Sequence, residues 1–233
     1  MSESVFERKE IKYILTNEQH EGLVKELEGR MEADKYGLTK VCNIYFDTPN
    51  FRLIRESIEK PKYKEKLRLR TYGIPTMDSP AFIELKKKLM GMVHKRREIL
   101  PYGEAMEYLV NGVIPSRWSQ IFEEIDWVLY FYEGLAPAMV LCYDRIAYVG
   151  TEDPQLRLTF DSNVTFRTDD LDLMHGAHGQ KLLEDGTYIM ELKIQDAMPL
   201  WLSGILDKLK IYPGSYTKYG NAYKKFLNDG GIV

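Results

Sequence analysis

Cysteine is almost absent: Cys42 and Cys142 are the two in 233 residues. Two thiols cannot build a disulfide framework or a four-ligand zinc site, and both lie in apolar strand-like runs, so they read as reduced core residues. No stretch reaches the roughly 18 consecutive apolar residues of a membrane helix. The first nine residues, Met1 to Lys9, lack an apolar core of signal-peptide length. The expectation is a soluble, cytoplasmic protein with no membrane span. Internal repeats, low-complexity tracts and linkers are missing as well, which leaves one domain over residues 1–233 as the economical reading. The overall balance is slightly acidic, with a net charge of −3, which argues against nucleic acid as a general partner.

What the chain does have is concentrated positive charge. From Lys60 to Arg97 there are twelve Lys and Arg against three acids, Glu65, Asp78 and Glu84, a net of +9, so the remainder sums to −12. In Lys62-Tyr63-Lys64-Glu65-Lys66-Leu67-Arg68-Leu69-Arg70 the cations recur at every second residue. Successive side chains of a strand point to opposite faces, so one face carries the cations and the other Leu67 and Leu69. Glu84, Lys86 and Lys88 alternate in the same way with Ile83 and Leu85, and Lys95 and Arg97 follow. A field this concentrated implies an anion.

Strands with period two dominate the first hundred residues, with a helix opened by the capping box Thr16-Asn17-Glu18-Gln19 and running to about Met31. After Pro101 the period becomes helical, over Ala105–Val110 and from Pro115 to about Tyr132. Strands resume at Ala138–Val149, Leu156–Phe166 and Tyr188–Ile194, and helices close the chain around Pro199–Ile211 and Thr217–Asn228. The glycine-containing segment from Asp169 to Gly186 reads as a mobile loop, in which His175 and His178 are solvated rather than metal-bound. The fold class is α+β: about eight antiparallel strands closed into a β-barrel, with helices packed outside and charged faces turned inward.

Alternation places Glu10 and Lys12, then Lys64, Lys66, Arg68 and Arg70, on that inner face. It adds Glu84, Lys86 and Lys88, then Lys95 and Arg97, and finally Tyr143 with Arg145, Arg157 with Asp161, and Glu191 with Lys193. One charged strand is ordinarily a solvated face; five or more of one sign in a chain of net −3 need another account. Enclosed like charges repel by about 1 kcal/mol per close pair in water and about 4 at an effective dielectric near 20, so bound anions are expected. Arginine forks and lysine ammonium groups suit phosphoryl oxygens, and the carboxylates of Glu10, Glu84 and Glu191 suit a divalent metal that bridges phosphates.

Five segments together carry a family resemblance: Glu10-Ile11-Lys12-Tyr13, Tyr45-Phe46-Asp47-Thr48-Pro49, Lys66 to Gly73, Phe82-Ile83-Glu84-Leu85-Lys86, and Met190-Glu191-Leu192-Lys193. From Phe6 to Phe226 the chain resembles the vacuolar transporter chaperone (VTC) domain, the polyphosphate polymerase branch of the triphosphate tunnel metalloenzymes. The resemblance implies an eight-stranded tunnel that uses ATP to extend inorganic polyphosphate with Mn2+ or Mg2+. It implies phosphate binding by Lys12, Arg68, Arg70, Lys86, Lys95, Tyr143, Arg145 and Arg157, metal binding by Glu191, and a role for Lys218 at the tunnel mouth. Catalysis would fall to Lys12, Arg68, Arg70, Arg145 and Glu191, with Lys66, Lys88, Arg97 and Lys193 as further phosphate ligands. A triphosphatase or nucleotidase with the same tunnel, a non-catalytic polyphosphate sensor and a nucleic-acid binder are the alternatives; ATP and polyphosphate are the expected partners, and the sequence does not specify a protein partner.

Overall fold

The computed structural model describes residues 9–59, 61–90, 92–195 and 197–231. Strand β1 (Lys9–Leu15) leads into helix α1 (Asn17–Leu27). The expected capping box opens it: the Thr16 hydroxyl accepts from the Gln19 N–H at 3.2 Å, and the Gln19 amide oxygen accepts from the Thr16 N–H at 3.1 Å. The helix stops at Leu27 rather than near Met31, because Gly29 adopts a left-handed φ of 73° and Met31 opens β2 (Met31–Ala33). Strand β3 (Thr39–Asp47) is followed by α2 (Arg52–Ile58), a short helix that the sequence reading lacks. Asp47 supplies its cap from a distance, accepting from the backbone N–H groups of Leu53 at 2.8 Å and Ile54 at 3.0 Å.

The cationic segments form β4 (Tyr63–Tyr72), β5 (Pro80–Leu89) and β6 (Met92–Pro101). Helices α3 (Tyr102–Asn111) and α4 (Gln120–Phe131) follow, then β7 (Ala136–Gly150), β8 (Arg157–Arg167), β9 (Gln180–Lys181), β10 (Tyr188–Ile194), α5 (Leu200–Lys208) and α6 (Lys218–Asn228). Among these helices none is long and apolar enough to cross a membrane.

The hydrogen-bonded order of the main ladder is β1-β10-β8-β7-β3-β4-β5-β6. Its eight strands match the expected number, but the sheet is open rather than a closed barrel: among the described residues β1 and β6 do not pair. Each end strand has one backbone carbonyl engaged from outside the main ladder. The Lys12 carbonyl accepts from the Gly214 N–H at 2.7 Å, and the Ile99 carbonyl of β6 accepts from the Arg117 guanidinium. Occupied edges are what an open sheet needs to resist further pairing.

The chain falls into two compact units. One comprises residues up to Thr39, Asp144–Val164 and Leu183–Tyr216. Its core packs Tyr13 and Leu15 of β1, Met190 and Leu192 of β10, and Leu158 and Phe160 of β8 with Leu23, Leu27, Leu202 and Leu206 of α1 and α5. The other comprises Lys40–Tyr143, Thr165–Leu182 and the segment from Thr217 onward. There Ile44, Phe46, Leu67, Leu69, Ile83 and Leu85 pack with Tyr102, Ala105 and Tyr108 of α3 and Phe122, Ile125 and Val128 of α4. Helices thus cover the apolar face, and burying each large aliphatic side chain contributes about 1.5–3 kcal/mol. The alternate residues of the same strands are left for polar work.

The segment read as a mobile loop is tied down. The buried Arg167 guanidinium donates to four carbonyls, those of Asp170 (2.6 Å), Asp172 (2.7 Å), Gly176 (2.9 Å) and His178 (2.9 Å). His175 and His178 are exposed and pair with Asp170 at 2.5 and 3.1 Å. Arg167→Lys replaces a planar fork with one ammonium that cannot reach four acceptors. We expect amide hydrogen exchange across residues 171–178 to accelerate about tenfold or more, the scale of one or two charged hydrogen bonds, with β4 and β5 unchanged. Exchange mass spectrometry reads this directly.

Candidate functional site

In the unit built on β3 to β6, the polar face centres on Glu84. Of the three acids in the cationic stretch it is the one that faces the cations; Glu65 is buried on the opposite face, where the Tyr63 hydroxyl donates to it. The register sets Arg68, Glu84 and Arg97 directly opposite one another across β4, β5 and β6. Glu84 is 1% exposed. Its Oε2 accepts from Arg68 Nε at 2.7 Å and lies 2.6 Å from Arg68 Nη2; its Oε1 accepts from Arg97 Nε at 2.9 Å and from Lys95 Nζ at 2.6 Å. Arg70 Nε stands 3.8 Å away. Burial alone would raise the Glu84 carboxyl, but Arg68, Arg70 and Lys95 outweigh it and hold it far below the usual carboxylate range. Lys95 is pushed down to about 8, by burial first and also by Arg97 and Arg68, against the pull of Glu84.

Arg70 is 6% exposed and is aimed by neutral partners: its Nε donates to Asn43 Oδ1 at 2.9 Å and its Nη2 to the Tyr143 hydroxyl at 3.3 Å. Asn43 in turn donates to the Leu141 carbonyl at 3.0 Å. The next register row sets Lys66, Lys86 and Lys95 side by side, and beyond it Lys64 pairs with Lys88. Directly opposed like charges on a sheet are destabilising. Helix α6 brings Lys218, whose Nζ lies 4.7 Å from the Tyr143 ring centroid, and Tyr219, which stacks on Tyr45.

In the other unit, Lys12 stands opposite Glu191, and Glu10 opposite Lys193, which itself faces Arg157. Lys12 Nζ lies 3.3 Å from Glu191, 3.4 Å from Glu10 and 3.3 Å from the Tyr216 carbonyl, to which it donates. Arg145 binds Asp161 through two donors, Nε to Oδ1 at 2.6 Å and Nη2 to Oδ2 at 2.7 Å, and its Nη2 lies 3.8 Å from Glu191. Asp161 is fully buried and acts as the counter-charge for that arginine.

Apart from Lys64 and Asp161, placed above, sixteen residues are candidates from the sequence, and the structure gathers them into these two polar faces. Lys12, Glu10, Arg145, Arg157, Glu191 and Lys193 lie on one; Lys66, Arg68, Arg70, Glu84, Lys86, Lys88, Lys95, Arg97, Tyr143 and Lys218 belong to the other unit. Sequence reasoning missed Asn43 and Tyr45. Both alternate with Cys42, Ile44 and Phe46, so they share the polar face, but the run Val41–Phe46 reads as almost wholly apolar and hides the alternation.

Among the described residues no group of three His, Cys, Asp or Glu forms a self-contained metal cage. Glu191 and Glu10 flank the Lys12 ammonium, with Arg145 also 3.8 Å from Glu191, and the two carboxylates supply hard oxygen donors of the kind a divalent cation takes.

A family model described as the VTC domain matches residues 7–227. No curated protein matches the chain. Among solved structures, a candidate adenylate cyclase of Bacillus halodurans has a TM-score of 0.58 at 17% identity, covering 90% of this chain and 95% of its own. A candidate adenylyl cyclase of Hippeastrum, described as having a dominant triphosphatase activity, has a TM-score of 0.56 at 16% identity, covering 96% of each chain. These structural likenesses show a shared fold.

Glu84→Gln leaves its ring of cations without a counter-charge. We expect the unfolding free energy to fall by about 3–5 kcal/mol in low salt, measured by urea denaturation, and tripolyphosphate to restore part of it. Because the carboxyl is depressed, its contribution is complete above its ordinary value of 4.5 and is lost as pH falls toward the folded-state value. The gap between wild type and variant should therefore narrow below that pH.

Proposed function

Because the chain belongs to the VTC domain family, matched over residues 7–227, we propose that it is a polyphosphate polymerase, transferring the γ-phosphoryl group of ATP to inorganic polyphosphate. The observation that carries the reading beyond the family is the row Lys66-Lys86-Lys95 beside the Arg68–Glu84–Arg97 cluster. The buried carboxylate of Glu84 offsets part of this charge, and a chain of phosphates lying along the rows complements it further. Each polar face binds phosphoryl oxygens in its own right: Arg68, Arg70, Lys66, Lys86, Lys88, Lys95, Arg97, Tyr143 and Lys218 on one, and Lys12, Arg145, Arg157 and Lys193 on the other.

The transfer balances simply. A terminal oxygen of the acceptor chain forms a bond to the γ-phosphorus, the bond from that phosphorus to the β,γ-bridging oxygen breaks, and ADP leaves. No covalent enzyme intermediate is required, so the protein's part is positioning and charge stabilisation. Arg68 and Arg70 are suited to it because Glu84, Asn43 and Tyr143 fix their forks before any ligand arrives. Lys12 and Arg145 are held in the same way by Glu191 and Asp161. Glu191 and Glu10 would hold Mn2+ or Mg2+, which when bound neutralises charge on the phosphates. Glu84, whose sequence context suits a third metal ligand, has both oxygens taken by arginine and lysine and serves here as a counter-charge.

Purified protein with ATP, Mn2+ or Mg2+ and a short polyphosphate primer should yield chain-phosphate signals in phosphorus NMR with one ADP per residue added. Orthophosphate in their place would make the protein a triphosphatase, and tight binding without turnover would make it a sensor. Glu191→Gln should lower turnover at least about a hundredfold while metal-free tripolyphosphate binding and the unfolding curve persist. Retained turnover would remove Glu191 from the mechanism.

A further inference from the structure

Arg68 has five N–H donors in one plane. Its Nε and Nη2 both converge on Glu84 Oε2, so that carboxylate alone leaves the guanidinium free to pivot about a single oxygen. The opposite edge is held by Tyr45, whose hydroxyl accepts from Arg68 Nη1 at 3.1 Å. Tyr45 is 8% exposed, so this hydroxyl lies in the face rather than in solvent. Its ring stacks on Tyr219 of α6, with centroids 4.3 Å apart and planes 14° from parallel. Tyr219 is itself fixed, donating its hydroxyl to Asp47 Oδ2 at 2.8 Å, on the carboxylate that caps α2.

We propose that Tyr45 is a positioning residue: its hydroxyl locks the plane of the Arg68 guanidinium, and its stacked ring makes that lock depend on the seating of α6. The inference rests on the phosphate-binding reading of this face and adds how the face is kept in a binding geometry. Two N–H groups of Arg68 remain for a ligand, and their direction is set once Glu84 and Tyr45 hold the other three. Helix α6 also carries Lys218, so the same seating that brings Lys218 over Tyr143 fixes Arg68.

The groups facing Tyr45 support this. Lys66, Arg68 and Arg70 come from β4, Glu84 reaches it through Arg68, Tyr219 comes from α6, and Asp47 lies on its own strand. Burial would raise the phenol, but the three cations and the Arg68 hydrogen bond outweigh it and bring it down to about 8. Below that pH the neutral hydroxyl leaves the full cationic charge to the ligand. Above it the phenolate cancels one cation, and anion affinity falls.

The test uses the whole chain with inorganic tripolyphosphate as probe. Tyr45→Phe keeps the ring and its stack on Tyr219 while removing the hydroxyl. Calorimetry at pH 7 should show an affinity about tenfold lower, the scale of one hydrogen bond to a charged group. The phenolate absorbance that wild type develops near pH 8 should be missing from the variant. Tyr219→Leu should weaken binding too, and the double variant should lose less than the product of the two single losses, because both act through Arg68. Wild-type affinity in Tyr45→Phe with an unchanged unfolding curve, or independent effects of the two substitutions, would overturn the proposal. If wild type itself fails to bind tripolyphosphate, the phosphate reading falls, and the Arg68 side chain still decides the role of Tyr45: Arg68 Nε–H exchange no faster in Tyr45→Phe than in wild type, read by NMR, would overturn it.

Discussion

One buried carboxylate governs the cationic face. Glu84 takes Arg68, Arg97 and Lys95 within hydrogen-bond distance and Arg70 within 3.8 Å, on strands that the register already sets side by side. Without it, three strands of like charge would repel across a separation of about 5 Å, the ordinary cross-strand distance. With it, the arginines have a fixed geometry in the absence of ligand. The remaining excess of positive charge is then a property of a folded, ordered face.

The second unit uses the same device with different residues. Asp161, fully buried, grips Arg145 through both oxygens, and Glu191 stands opposite Lys12. Buried ion pairs carry a desolvation cost that often cancels their attraction, so they are weak evidence of added stability. Their value here is orientation: a guanidinium held on one edge presents its other edge in a known direction. That accounts for acids among the cations of a face proposed to bind anions.

Much of this was legible because a strand has a period of two. The pairing of Leu67 and Leu69 with one face and Arg68 and Arg70 with the other follows from sequence alone, as does Lys12 against Ile11 and Tyr13. Three things were not legible, each for a physical reason. Closure of the sheet depends on what its end strands meet, and the Gly214 N–H at Lys12 and the Arg117 side chain at Ile99 are distant in sequence from the backbone they occupy. Helix α2 has seven residues and takes its cap from Asp47, outside the usual N-cap position, so no local signal marks it. The polar roles of Asn43 and Tyr45 were masked because a tyrosine in an apolar run counts as apolar until its hydroxyl finds a partner.

The two kinds of cation on the β4–β6 face differ in what they are fit to do under the proposed function. Arg68, Arg70 and Arg97 are planar forks, each held by Glu84 or by Asn43 and Tyr143, and they define one position for a phosphoryl group. The lysines of the adjoining rows are compact charges on flexible stems, and an ammonium follows an oxygen over several positions without losing its hydrogen bonds. A polymer that must advance by one phosphate after each transfer needs both: a fixed site where bonds change and an adaptable track that tolerates displacement. The register supplies them in sequence along the same strands, with Arg70, Arg68, Lys66 and Lys64 following one another at every second position of β4. A surface built only of arginines would hold each position of the chain equally firmly and resist its movement.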